Sequence, residues 1–238
     1  MPNWVYNGLT IEGSPNSVNK LIEQMNQPFV DVIESVGDLA FNSDKTITYS
    51  NPVFAFRNII APTDLETYKE QPKRSKLDIN DPNWWSDTER LRLQDKSWYS
   101  WNVTNWGCKW DVAVSDEEKY PDTYTEGIVE VNDKQAMISY NFNTPWGIPD
   151  EAIVNLSSQY PDLDITLSYE EETGWGGERI YVAGEVVENS EYGWKCRECD
   201  HEEDETPYCE ECDYDICPSC GFGEPDEPCE QHKEMQNA

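Results

Sequence analysis

Cys196 and Cys199, Cys209 and Cys212, Cys217 and Cys220, and Cys229 and His232 form four pairs, each with two residues between its members. Two intervening residues let one tight turn aim both side chains at a single tetrahedral ion, so each pair supplies half of a zinc site. Four such pairs in one short stretch predict two zinc ions held by seven thiolates and one imidazole. Four protein ligands close each site and leave no position for water or substrate. The expected chemistry is therefore structural: metal folds the tail, and removing it unfolds the tail.

Asp213–Ile216 is all that separates the second pair from the third, a short run in which to turn back onto the same ion. That favours an interleaved arrangement, with Cys196, Cys199, Cys217 and Cys220 on one zinc and Cys209, Cys212, Cys229 and His232 on the other. Sequential pairing of neighbouring knuckles is the alternative. His201 reads as a bystander. The N-terminal MPNWVYNGL lacks the basic start and apolar stretch of an export signal, so metal in a reducing cytoplasm is expected rather than disulfides.

Other reactive constellations are absent from the sequence. Its two histidines, His201 and His232, both lie among the zinc pairs, which leaves the rest without a histidine base or triad. Gly174-Trp175-Gly176-Gly177 sits in a turn with no helix after it, so it is no phosphate loop. The expectation is a chain without catalytic residues and without a cofactor other than zinc. Carboxylates number 48 against 17 Lys and Arg, a formal charge of −31. Such a surface repels phosphate and anionic lipid and attracts basic partners from a distance. The one basic cluster, Lys73-Arg74-Ser75-Lys76, is too small to reverse that, and no run of 18 apolar residues could span a bilayer.

Hydrophobic periodicity supplies the elements that position these groups. Leu9 and Ile11 alternate with polar neighbours in a strand from Trp4, and Ser14-Pro15 is a helix cap. Val18, Leu21, Ile22 and Met25 then form one helical stripe. Residues 29–97 read as an insertion, with a short apolar run at Phe54–Ile60, a helix from Thr63 to Gln71 capped by Thr63, and a loop at Asn80–Ser86. A further helix through Trp98 and Trp101 ends at Gly107. Trp110, Val112 and Val114 predict a strand, as do Met137–Phe142. A helix opens at Pro149-Asp150-Glu151, Leu163–Tyr169 alternates strictly as a half-buried strand, and Ile180–Val187 is its hairpin partner. The order is the split βαβ pattern of a ferredoxin-like α+β sandwich.

At Glu188 the composition changes. Residues 188–238 carry 17 acidic and 3 basic side chains and too little apolar content for an ordinary core, so this piece needs its metal to fold. The expected division is a ferredoxin-like domain over 1–187 and an acidic two-zinc module over 188–238.

The run from Tyr208 to Cys220, with Asp213-Tyr214-Asp215-Ile216 between its cysteine pairs, resembles the centre of ZZ-type zinc fingers. Those fingers commonly end in two histidines where this chain has Cys229 and His232. The resemblance implies an interleaved two-zinc fold that grips a basic tail or free N-terminus through acidic side chains, at positions matched here by Asp213 and Asp215. Holding backbone amides in the turn is an equally good role for these two. The strings Met1-Pro2-Asn3-Trp4-Val5-Tyr6-Asn7 and Asn105-Trp106-Gly107-Cys108-Lys109-Trp110-Asp111, with Tyr160-Pro161 and Ser168-Tyr169-Glu170-Glu171, resemble the YubB-type ferredoxin-like family of phages and plasmids. That resemblance covers most of 1–187 and implies the fold and a mobile-element origin, but no activity. The family usually has Thr in place of Cys108, which argues against a nucleophilic thiol. Trp106 and Trp110 read as core, or as an aromatic groove for a peptide or base.

Together these features predict a non-catalytic, acidic zinc-binding protein that binds a host protein with a basic surface or tail, in the manner of a nucleic-acid mimic or an anti-defence or regulatory factor. A zinc-dependent nucleic-acid binder and an enzyme with a carboxylate-based site are the competing classes.

Overall fold

The computed structural model describes residues 3–31, 47–70, 75–119, 121–132 and 135–196, together with shorter pieces at 35–36, 40–41, 73, 201–203, 208–209, 214–215, 217 and 219. Strand β1 (Trp4–Gly13) leads into helix α1 (Pro15–Met25). The Ser14 hydroxyl accepts the Ser17 amide at 3.2 Å, and Pro15 occupies the first turn, where its missing N–H costs nothing. Val18, Leu21 and Met25 form the buried stripe that the spacing predicts.

A long excursion follows: β2 (Phe29–Asp31), β3 (Ser35–Val36), β4 (Ala40–Phe41), β5 (Ile47–Tyr49), a 3-10 turn at Phe56–Asn58, and helices α2 (Leu65–Tyr68), α3 (Trp84–Leu93) and α4 (Trp98–Trp106). The main sheet resumes with β6 (Glu126–Val131) and β7 (Ala136–Pro145), then α5 (Asp150–Gln159), β8 (Asp164–Glu171), β9 (Gly176–Val182) and β10 (Glu185–Tyr192). Two short antiparallel strand pairs follow, β11 (Trp194–Lys195) with β12 (Glu202–Glu203), and β13 (Tyr208–Cys209) with β14 (Tyr214–Asp215).

The six-stranded sheet runs β10-β9-β8-β1-β7-β6 with every neighbour antiparallel. Within it, β8-β1-β7-β6 with α1 and α5 is the ferredoxin-like split βαβ arrangement, and β9–β10 is a hairpin added at the β8 edge. Val5, Leu9 and Ile11 of β1, Ile138, Tyr140 and Phe142 of β7, and Ile165 and Leu167 of β8 point to the helical side and are buried against α1 and α5. Each such side chain contributes about 1.5–3 kcal/mol of transfer free energy. Phe54 and Phe56 anchor the excursion to the same core: the Phe54 ring lies 4.7 Å from Tyr140 and 5.3 Å from Phe142.

Four local expectations are corrected. Trp110–Val114 is irregular chain in which the adjacent Val112 and Ala113 are both buried, and the second strand of the split motif is β6 instead. Ile180–Val187 is not one strand: Ala183 and Gly184 take positive φ (50° and 88°) and turn the chain between β9 and β10. Asn80–Ser86 includes the first turn of α3, because Asp81 accepts the Asn83 amide at 2.8 Å and starts the helix. The cap of α2 is Asp64, which accepts the Thr67 amide at 3.1 Å, rather than Thr63.

Candidate functional site

The loop after α4 is built to bury one tryptophan and expose the side of another. Gly107 closes α4 in the left-handed region (φ 85°), and a Cβ there would lie 2.7 Å from the Ile148 carbonyl. Trp106 is fully buried in the main core and donates its indole N–H to the Ile60 carbonyl at 3.1 Å. Asn105 binds the Trp101 carbonyl at 2.8 Å. Cys108 is buried, and desolvation pushes its thiol well above the ordinary range, the reverse of what a nucleophile needs. Asp111 is a structural acceptor: Oδ1 takes the amides of Phe56 (2.8 Å), Val112 (2.7 Å) and Ala113 (3.2 Å), and Oδ2 takes that of Arg57 (2.9 Å).

Trp110 stays outside the main core. It meets Trp4 edge-on at 6.1 Å, and the Lys109 ammonium lies 4.4 Å from both the Trp110 and Trp146 rings. Trp110, with Tyr49, Tyr68 and Trp98, lines a half-enclosed cavity of about 140 Å³ that also receives Asp31, Asp111, Glu118 and Asp122. Asp31 pairs with Arg57 at 3.4 Å, and the Arg57 guanidinium lies 6.0 Å from the Tyr68 ring. Burial first, then the charges of Asp111, Asp31 and Glu118, raise the Tyr49 hydroxyl far above its ordinary range, with Arg57 opposing. These residues come from β2, β5, the 3-10 turn, α2, α4 and the chain from Trp110 to Asp122, so no sequence spacing could have grouped them.

Among the described residues, the sheet face away from α1 and α5 is uncovered along its middle. A broad groove of about 840 Å³ crosses it, with Gly8 and Ser168 on its floor and Tyr6, Tyr124 and Tyr192 along it. Glu170 and Glu178 line the groove, and Lys195 is the one cation among its described lining residues. Strand alternation was the available signal, because Tyr6, Gly8 and Ser168 occupy the positions between buried Val5, Asn7, Leu9 and Leu167.

The zinc candidates fall partly outside the described residues, which exclude Cys199, Cys212, Cys220, Cys229, His232 and Asp213. Cys209 and Asp215 are placed as backbone, in the β13–β14 hairpin. Cys196 and Cys217 are both buried and pack in one small cluster with Trp194. Beyond the paired residues of β11 and β12, the Cys196 amide donates to the His201 carbonyl at 2.8 Å. The chain thus brings together one cysteine from each of two pairs. His201 binds the Glu203 carboxylate at 2.7 Å. Among the described residues no three metal-ligating side chains converge, and no helix is long and apolar enough to cross a membrane.

A crystal structure of protein api92 from Yersinia pseudotuberculosis aligns with 82% of this chain and 100% of its own, at 10% identity and a TM-score of 0.42. Comparison with curated proteins returns no match. Residues 110–211 match the family model described as the ferredoxin-like domain in Api92-like protein, so over this span the chain is similar to that family in sequence.

Proposed function

We propose that this is a non-catalytic, acidic interaction protein whose open sheet face docks a basic, lysine-rich segment of a partner protein. The observation that carries this is the groove over Gly8 and Ser168, walled by tyrosines and carboxylates on a chain of net charge −31. Tyrosine offers a large rigid contact with a polar tip, and Glu170 and Glu178 complement ammonium groups. Glu126 and Glu130 of β6 extend the negative field to the sheet edge. The mobile-element origin implied by the YubB-type resemblance puts the partner among host proteins. In this reading two structural zinc ions fold the tail through Cys196, Cys199, Cys217 and Cys220 and through Cys209, Cys212, Cys229 and His232, with Asp213 and Asp215 as further acidic contacts. The charge of the face opposes nucleic acid, which needs clustered Lys and Arg on the surface that meets phosphate.

The test is fluorescence anisotropy of the full chain with a labelled lysine-rich peptide and, separately, a labelled single-stranded oligonucleotide. The peptide should bind, more weakly as salt rises. The pair Glu170→Gln and Glu178→Gln should weaken it several-fold, whereas Glu23→Gln with Glu151→Gln on the helical side should leave it unchanged. Tighter binding of the oligonucleotide, or equal loss in the two paired variants, refutes the sheet-face reading.

A further inference from the structure

We propose that the cavity between α4 and the 111–123 loop is a second, separate binding site, for an organic cation of the alkylammonium class such as the end of a lysine side chain, held between the aromatic walls of Tyr49, Trp98 and Trp110 and the carboxylates of Glu118 and Asp122. This site does not depend on the docking role of the sheet face.

Size sets the first limit. At about 140 Å³ the cavity lies below the roughly 300–1,000 Å³ of sites for drug-sized molecules, so its guest is the end of a side chain or a small ion. Aromatic faces attract a desolvated cation through the ring quadrupole. The protein already uses its rings this way nearby: Lys109 sits 4.4 Å from the Trp110 ring, and Arg57 lies over Tyr68.

The distribution of charge supplies the second argument. Asp31 is matched by Arg57, and Asp111 is committed to four backbone amides. Glu118 accepts a single amide, that of Ser115, at 2.8 Å. The Asp122 carboxylate has no hydrogen bond or ion pair among the described residues, while its backbone carbonyl accepts the Asn143 side chain. Negative charge therefore exceeds positive along the cavity, and a guest ammonium would meet Glu118 and Asp122 beside the rings. An anion would meet the same carboxylates as repulsion, and a neutral alkyl group would leave them without a countercharge. Asp122 and Thr123 line this cavity and Tyr124 lines the sheet groove, so one short segment runs between the two sites.

Calorimetry and tryptophan emission on the full chain, titrated with n-butylammonium and n-butyltrimethylammonium, test this. n-Butanol and sodium chloride at equal ionic strength serve as controls. The expected result is saturable binding of the cations alone, weakened roughly tenfold by Asp122→Asn with Glu118→Gln and unchanged by Glu170→Gln with Glu178→Gln. Asp122 is exposed, and among the described residues its side chain makes no hydrogen bond that its substitution would remove. Equal binding of n-butanol would make the cavity an apolar slot. No saturable binding, or a loss that follows the sheet-face pair instead, would equally overturn the proposal. The lysine-peptide assay reads the sheet face independently, so either site can fail alone.

Discussion

The Asp111 carboxylate accepts the backbone amide of Arg57 at 2.9 Å across 54 residues of chain, tying the loop after α4 to the 3-10 turn of the long excursion. The same side chain takes the amides of Phe56, Val112 and Ala113. This clamp lets Phe56 enter the core against Phe142 at 5.9 Å while Arg57 turns to the buried Asp31. A residue conspicuous in the sequence thus acts on backbone geometry, and the aromatic cavity is framed by the loops it joins.

Replacing Asp111 with Asn should destabilise the protein by about 1–3 kcal/mol, because the amide side chain sets a donor against the donors it must satisfy. Burial pushes the Asp111 carboxyl from 3.8 to about 6, against the pull of its amide donors. A folded pKa raised above the unfolded one gives a contribution fully present below about pH 4 and lost as pH rises through about 6. Chemical denaturation at several pH values should therefore show the wild type losing part of its advantage over Asp111→Asn across that window. A constant gap would mean that Asp111 is ionised throughout.

Tyr140 offers a test of opposite sign. Its ring is buried, 4.7 Å from Phe54, and its hydroxyl has no hydrogen-bond partner among the described residues. Burial accordingly raises the phenol well above its ordinary range. Tyr140→Phe keeps the ring and removes an unsatisfied polar atom, so stability should rise by about 1 kcal/mol, or roughly 2–4 °C in Tm for a chain of this size. A lower Tm would show that the hydroxyl has a partner.

Elements with one buried and one open side were legible in the sequence. The α1 stripe and the alternation of β8 follow from period alone, and the Gly107 stop follows from the left-handed turn it adopts. β6 was not legible, because all six of its residues are exposed at a sheet edge and no buried face imposes alternation on it. Trp110-Val112-Val114 misled for the converse reason: an irregular segment can bury consecutive residues, and spacing of two then arises without a strand. The cysteine pairs stand out in the sequence because their spacing is local, whereas the cavity assembles Asp31, Tyr49, Trp98 and Asp122 from distant segments. Composition revealed the negative charge, and the fold alone placed it beside exposed aromatic rings.

The pairing of the zinc ligands gives the most discriminating experiment on the tail. Cys196 and Cys217 belong to the first and third pairs, and both are buried against Trp194. If they share one ion, Cys196→Ser with Cys217→Ser should leave one zinc per chain, since Cys209, Cys212, Cys229 and His232 keep the other. Sequential pairing would place these cysteines on different ions, and the same double variant would lose both. Cys196→Ser with Cys209→Ser reverses the pattern, losing both ions in the interleaved arrangement and one in the sequential. Colorimetric zinc release from purified protein reads the count directly, with Cys108→Ser, a core residue, as the control expected to retain two. Because a structural zinc supplies about 10–16 kcal/mol to a small module, chelation should also open residues 193–238 to protease while the six-stranded sheet stays resistant. Thiolate ligands must be deprotonated, so acidification should release the metal in the same order as the variants do. Protein purified without zinc and with an unchanged cleavage pattern would remove the metal from the account of how this tail folds.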